Sequence, residues 1–292
     1  MLTSCSENYD LVNPDSLCSS SVHDRSEWDY EPLRTALMNN INALQSTGMV
    51  THMSVYFRDL RNGPRFGIQE NESFFAASLM KMPLMIALLH AADRHTGLLD
   101  KQLASSGSFA VVSNTDQPEE TIRQNTLYSI RELLRRMIVY SDNNSMALLF
   151  AEFNSNPLPA ESNSFLDLGI VNMTTGTVGR LSMQSYANLF TVLYNTSYLS
   201  DALSQYALEL LSQSTYTAGL RAGVPPDVRV AHKFGLRTVS SRDSQLHDCG
   251  IVYHPVTPYV LCMMTSGTNV AMEANAIAGI SRIVYDAVDG KR

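Results

Sequence analysis

A serine and a lysine three residues apart, Ser78 and Lys81, lie in a stretch that is otherwise almost entirely apolar, FFAASLMKMPLMIALL from residue 74. The stretch is typical of a buried helix, and residues three apart share one face of a helix. Burial disfavours the charged form of a lysine, and a neutral amine beside a hydroxyl can take its proton. The pair therefore predicts a serine nucleophile with a lysine base. The alternative is a core helix whose lysine reaches toward water.

Two further motifs carry groups that could assist such a serine. Ser141-Asp142-Asn143 falls where one predicted helix ends and another begins, a break that Asp and Asn favour. His232-Lys233-Phe234-Gly235 falls at the end of a strand that we predict to be an inner one. The chain has only four lysines, and two of them lie in these three motifs. We therefore expect the motifs to form one site.

The composition is that of a globular protein and limits its partners. The chain has 292 residues, 45% of them hydrophobic, and a net charge of −7. An acidic protein is a poor partner for nucleic acid or for an anionic membrane surface. No run of 18 apolar residues is present, so the sequence predicts no membrane span. We expect a monomer.

Hydrophobic periodicity divides the chain into helices and strands. Helices are predicted at residues 31–46, from 78 onward, and at 98–103, 129–139, 145–153, 182–194, 200–211 and 269–288. Strands are predicted at residues 49–60, 65–69, 228–234, 246–253 and 258–265.

This order predicts a mixed α/β (α+β) fold with a five-stranded, mostly antiparallel sheet. Successive hairpins place neighbouring strands antiparallel, and the terminal helices cover one face of the sheet. We predict an α/β lobe from residues 29–99 and 215–292, and an all-helical lobe from residues 100–214 inserted between strands two and three. A ligand cleft is expected where the lobes meet.

Residues 1–28 are polar and predict a flexible tail or tether. The first five residues, ending at Cys5, resemble the end of a bacterial lipoprotein signal, although the charged and apolar regions of a signal peptide are missing. Cys5 is therefore a lipidation candidate, and the alternative is a disordered cytoplasmic tail. Lipidation would place the protein outside the cytoplasm, in contact with a membrane only through that anchor. Cys249 and Cys262 fall on facing strands, where we favour two buried free thiols over a disulfide.

The three motifs, in this order and on these elements, resemble those of the penicillin-recognising serine hydrolases, in particular the class A β-lactamases. The resemblance covers about residues 29–290 and includes the capping box at Ser129 and the strand from Gln245 to Tyr253. It implies an acyl-enzyme mechanism on a β-lactam or a peptidoglycan-like peptide, with no cofactor and no metal ion.

The resemblance also implies a role for each motif residue. Ser78 would attack the carbonyl and Lys81 would accept its proton. Ser141 would bridge Lys81 and Lys233 and pass a proton to the leaving nitrogen. Lys233 would supply positive potential for a substrate carboxylate.

Substrate contacts are implied as well. Asn143 would hold the amide side chain of the substrate, and the backbone N–H groups of Ser78 and Leu236 would form an oxyanion hole. The other substrate-binding candidates on the same strand are Phe234, Gly235 and Arg237.

The chain departs from the family pattern at two places. Phe234 stands where the family has a hydroxyl residue that binds the substrate carboxylate. Recognition of a carboxylate must therefore weaken or fall to another group, for which Arg237 and Arg242 are candidates. The alternative is that Phe234 stacks on an aromatic or apolar part of the substrate. The Glu-x-x-Leu-Asn motif that activates the deacylating water is also missing. Between Glu152 and Asp201 the only acids are Glu161 and Asp167, and neither lies in such a motif. Acylation without efficient hydrolysis is the expected consequence, unless Lys81 or Ser141 activates the water instead.

Three functions remain open from the sequence. The first is a serine hydrolase of the class A β-lactamase type, with slow deacylation. The second is a penicillin-binding D-Ala-D-Ala carboxypeptidase or cell-wall amidase that uses the same chemistry. The third is a non-catalytic binding module on the same fold, and the presence of Ser78, Lys81, Ser141 and Lys233 together argues against it.

Overall fold

The computed structural model describes residues 10–13, 29–61, 63–70, 72, 74–105, 120–155, 180–181, 183–240 and 243–290. The predictions made for Cys5, Glu161, Asp167 and Arg242 therefore lie outside the described residues. The α-helices are α1 (Glu31–Ser46), α2 (Lys81–Arg94), α3 (Ile130–Val139), α4 (Asn143–Ser155), α5 (Met183–Tyr194), α6 (Asp201–Ser212) and α7 (Val270–Asp289). The strands are β1 (His52–Asp59), β2 (Arg65–Ile68), β3 (Phe74–Phe75), β4 (Gln102–Ala104), β5 (Leu127–Ser129), β6 (Arg180–Leu181), β7 (Val230–Ser240), β8 (Asp243–Val252) and β9 (Tyr259–Ser266).

The predicted five-stranded antiparallel sheet is confirmed. Its strand order is β2-β1-β9-β8-β7, and every neighbouring pair is antiparallel. One prediction about this sheet is wrong: β7, which carries Lys233, is an edge strand and not an inner one, and it runs well beyond the predicted end at residue 234. Strand order depends on pairing between distant segments, which local periodicity does not reveal.

The two terminal helices pack on this sheet and form its core. α1 has the bounds predicted from its periodicity and buries Leu33, Leu37 and Ile41. α7 begins after Asn269, whose side chain accepts hydrogen bonds from the first backbone N–H groups of the helix. Burying one leucine or isoleucine side chain contributes roughly 1.5–3 kcal/mol, so these apolar faces supply much of the stability of the sheet.

The segment from residue 100 to 214 was predicted to be all-helical, but it also contains strands. β4 and β5 pair with each other inside it, and the predicted helix at residues 98–103 is a 3₁₀ turn (Leu98–Asp100) followed by β4. At the end of β5, the Ser129 hydroxyl accepts the Glu132 backbone N–H and caps α3 as predicted. α4 begins two residues earlier than predicted.

The described residues fall into two compact units. The first draws on Met80–Ile170 and Val192–Thr215, with a short N-terminal part, and contains α2, α3, α4 and α6. The second draws on Cys18–Leu79, Val171–Thr191 and Tyr216–Arg292 and contains the five-stranded sheet with α1 and α7. In the part of the chain that the structure describes, no helix is both long and apolar enough to cross a bilayer.

Cys249 and Cys262 lie directly opposite each other on β8 and β9, and both are buried free thiols. Burial raises the pKa of the Cys249 thiol well above its usual value, with the neighbouring Cys262 adding to the effect. A neutral buried thiol is a weak nucleophile. We therefore assign this pair a packing role in the core of the sheet.

Candidate active site

Lys81 is the first residue of α2 and is completely buried. It follows directly on a 3₁₀ turn, Ala77–Met80, that carries Ser78. The Lys81 Nζ donates hydrogen bonds to the Ser141 backbone carbonyl, to the Ser141 Oγ at 3.0 Å and to the Asn143 Oδ1 at 2.7 Å. Two motifs that lie about 60 residues apart in the sequence are thus joined within the first unit.

Burial lowers the pKa of Lys81 from 10.5 to about 7, and the negative charge of Asp142 opposes part of this shift. An amine with a pKa near 7 is largely neutral at slightly alkaline pH, and a neutral amine can accept a proton. Matching of a base to the operating pH is a requirement of general base catalysis. Lys81 therefore has the electrostatic properties that a proton acceptor needs.

Asp142 explains why the Ser-Asp-Asn motif folds as a helix start. Its buried carboxylate accepts the backbone N–H of Asn144 at 3.3 Å and that of Ser145 at 2.9 Å, so it caps α4. Ser141, directly before it, has a φ of 57°, a left-handed conformation that is uncommon outside glycine. In this conformation both the carbonyl and the hydroxyl of Ser141 face the Lys81 amine.

In the second unit, β7 approaches the turn that carries Ser78 at Gly235. A Cβ on Gly235 would lie 3.1 Å from the Ala76 carbonyl oxygen and 3.2 Å from the Leu79 backbone nitrogen, closer than nearly all real contacts. A side chain at this position would push strand and turn apart. Within the same turn, Ala77 has a φ of 47°. Glycine at position 235 therefore permits the backbone approach that an oxyanion hole between the turn and β7 would require.

Lys233 and Phe234 are both buried on β7. The Lys233 Nζ donates to the Phe234 carbonyl at 3.0 Å and lies 4.3 Å from the centre of its ring. The Phe234 ring stacks on Tyr216 with centroids 4.1 Å apart and belongs to the core of the sheet. Tyr216 thus covers a face of the Phe234 ring, which was predicted to contact the substrate.

Arg237, two residues beyond Gly235, stacks on an aromatic ring of the same unit. Its guanidinium carbon lies 3.7 Å from the centre of the Phe75 ring. Among the hydrogen bonds of the described residues, none involves its buried Nη1. A buried N–H donor without an acceptor costs free energy. An anionic group of a ligand could supply that acceptor to the Arg237 guanidinium.

The structure thus brings together some of the predicted site residues within each unit. Lys81, Ser141 and Asn143 are in contact in the first unit, and Gly235 lies against the Ser78 turn in the second. The bridge from Ser141 to Lys233 joins the two units and stays a prediction, as does the cleft. A helix break was predicted at Ser141-Asp142-Asn143, but neither the cap formed by Asp142 nor a role for Tyr216 was predicted. An Asp three residues before the predicted helix start at 145 was the available signal for the cap, whereas nothing local indicates the Tyr216 stack.

The arrangement of elements places the protein in a structural class: the five-stranded sheet with its terminal helices is the β-lactamase fold. Similar structures include a β-lactamase from Chitinophaga pinensis, 25% identical with a TM-score of 0.73 over 86% of this chain and 99% of that chain. A mutant of PBP-A in an acyl-enzyme complex with penicillin G is 21% identical, with a TM-score of 0.75 over 88% and 97%. A variant of the last common ancestor of Gram-negative class A β-lactamases is 23% identical, with a TM-score of 0.72 over 88% and 100%.

The sequence itself matches a family model, described as the beta-lactamase enzyme family, over residues 36–288. The chain therefore belongs to the beta-lactamase enzyme family. A search of curated protein sequences gave no match.

The Lys81 environment leads to a prediction about pH. Replacing Asp142 with asparagine keeps a good helix cap but removes the charge that raises the pKa of Lys81, so this pKa should fall below about 7. If neutral Lys81 is required for acylation of Ser78, the acidic limb of the pH profile of the acylation rate should move to lower pH. The control is Asp100→Asn, which changes an exposed carboxylate paired with Arg131. A limb that stays in place in Asp142→Asn would contradict the assignment of Lys81 as the titrating base.

Proposed function

We propose that this protein is a serine hydrolase that opens β-lactams, or a related amide, through an acyl-enzyme on Ser78. The observation that carries the proposal is the environment of Lys81. This lysine is buried, has a pKa near 7, lies three residues after Ser78 and donates a hydrogen bond to Ser141. Membership of the beta-lactamase enzyme family supports the same reaction class.

The proposed reaction follows from these groups. Lys81 takes the hydroxyl proton of Ser78 while the Ser78 Oγ forms a bond to the carbonyl carbon. The backbone N–H groups of Ser78 and Leu236 stabilise the oxyanion, an effect worth about 3–4 kcal/mol per donor in other enzymes. The carbonyl C–N bond then breaks, Ser141 protonates the leaving nitrogen, and Ser141 regains a proton from Lys81.

The release step is expected to be slow. The sequence between Glu152 and Asp201 contains no Glu-x-x-Leu-Asn motif, so no counterpart of the usual water-activating glutamate can be assigned. This absence favours the second candidate, a penicillin-binding carboxypeptidase or amidase that β-lactams trap as an acyl-enzyme. The similarity to PBP-A, whose mutant forms such a complex, supports that candidate in fold alone.

A chromogenic cephalosporin distinguishes these candidates when colour release and intact mass are followed together. We expect a burst of about one equivalent and a persistent adduct, both absent in Ser78→Ala. Sustained release without a lasting adduct would instead identify an efficient β-lactamase. A folded protein that forms no adduct and releases no colour would overturn the proposal.

A further inference from the structure

Phe75, three residues before Ser78, forms hydrogen bonds with two side chains of β8, a strand of the five-stranded sheet. Its backbone N–H donates to the Gln245 Oε1 at 3.0 Å, and its carbonyl accepts a hydrogen bond from the His247 Nε2 at 2.9 Å. Both backbone hydrogen-bonding groups of one residue are thus bound by side chains. The two side chains belong to residues two apart on a strand, which therefore point to the same face of the sheet.

His247 makes this contact from a buried position that disfavours its charged form. The side chain is completely buried, and burial lowers its pKa to about 4, so the ring is neutral near pH 7. Because Nε2 faces a carbonyl, it carries the ring hydrogen. The ring also packs edge-on against Phe74, with centroids 5.4 Å apart. The hydrogen bond to the Phe75 carbonyl is therefore made by a neutral and fully buried ring.

The contact lies where β7 meets the nucleophile turn. His247 is directly opposite Gly235 in the β7–β8 register, and a Cβ at position 235 would crowd Ala76 and Leu79, on either side of Ser78. The Leu246 backbone N–H, between the two side chains, is fixed by the Glu273 carboxylate at 2.9 Å. The strand that grips Phe75 is therefore itself anchored to α7.

We propose that Gln245 and His247, together called the Phe75 clamp, are positioning residues for the Ser78 nucleophile. This inference rests on the proposed function. By holding Phe75 at both backbone groups, the clamp fixes where the 3₁₀ turn begins and hence the direction of the Ser78 Oγ and N–H. Displacement of a reacting group by about 1 Å can cost on the order of 100-fold in rate, so loss of the clamp slows acylation without weakening binding.

Gln245→Met and His247→Phe test the clamp, because each keeps the size of the side chain and removes its hydrogen bond to Phe75. We expect each to lower the acylation rate at saturating cephalosporin about tenfold or more. The Kd for the same cephalosporin, measured in a Ser78→Ala background, should stay within twofold. Gln245→Glu, which keeps an acceptor for the Phe75 N–H, should recover most of the lost rate. The control Gln213→Met alters an exposed side chain and should have no effect.

A second probe separates failure of the clamp from failure of the proposed function. A fluorophosphonate forms an Oγ–P bond with an activated serine and releases fluoride, and it needs no β-lactam recognition. If it labels Ser78 where the cephalosporin does not, the proposed function fails and the clamp is tested by the labelling rate.

Three outcomes would overturn the clamp. In the first, both clamp variants lose only thermal stability and react at the wild-type rate well below their Tm. In the second, the acylation rate and the Kd change together. In the third, neither probe labels the folded wild-type protein, and the proposed function falls with the clamp.

Discussion

Replacement of Lys81 with methionine is expected to lower the rate constant for acylation of Ser78 by about 10²–10⁴-fold, the usual contribution of a general base. Methionine has a similar length and an unbranched stem, so it can fill the buried space that the lysine leaves. The substitution removes the buried amine that donates a hydrogen bond to Ser141 and whose pKa lies near 7. The rate is measured as adduct formation by intact mass at several cephalosporin concentrations.

The same variant should also lose the acidic limb of the pH profile. In the wild-type protein we expect the acylation rate to rise as pH passes through the pKa of Lys81 at about 7, because the neutral amine is the proposed reactive form. Lys101→Met is the matched control, since Lys101 is exposed and pairs with Glu152. A Lys81→Met rate within about threefold of the control would show that another group accepts the proton.

Glu273→Ala is expected to lower the free energy of unfolding by about 2–4 kcal/mol, since it combines an unpaired buried donor with a cavity. The buried Glu273 carboxylate accepts from the Leu246 backbone N–H, from Thr265 Oγ1 at 2.9 Å and from the Ser244 hydroxyl. The two hydroxyls have other acceptors within reach, the Leu246 and Gly267 carbonyls, but the Leu246 N–H has none among the bonds described.

Urea unfolding of the two proteins measures this difference. Glu273→Gln keeps an acceptor oxygen for the Leu246 N–H and should recover a large part of the loss. The control Asp243→Ala changes an exposed carboxylate at the start of β8 and should stay within about 0.5 kcal/mol of the wild type. If Glu273→Ala and Asp243→Ala are equally stable, Glu273 does not anchor β8 to α7.

The sequence predicted the long elements well because each has a strong pattern of its own. The bounds of α1 match its apolar period, and the β1–β2 hairpin follows from two predicted strands, 49–60 and 65–69, that only four residues separate. The short strands β4 and β5 were missed, since three residues carry no recognisable period. Their pairing exists because two distant segments meet, and local propensity is silent about such contacts.

The candidate site likewise combines features that the local sequence predicts with features that it does not. The spacing of Ser78 and Lys81 and the helix break at Asp142 are local, so they could be read from the chain. By contrast, Gln245 and His247 are polar residues alternating on a strand, a pattern typical of a solvated face. Only the fold shows that both side chains bind the backbone of one residue, Phe75, and that His247 is buried.

Two residues of the site, Ala77 and Ser141, hold left-handed backbone conformations with φ of 47° and 57°. For residues with a Cβ, each such conformation costs on the order of 1 kcal/mol or more, which the surrounding fold must offset. Glycine at either position would relieve that strain while loosening the turn or removing the Ser141 hydroxyl. Selection for thermal stability alone is therefore expected to favour glycine at these two positions. The most thermally stable variants would then include the least active ones.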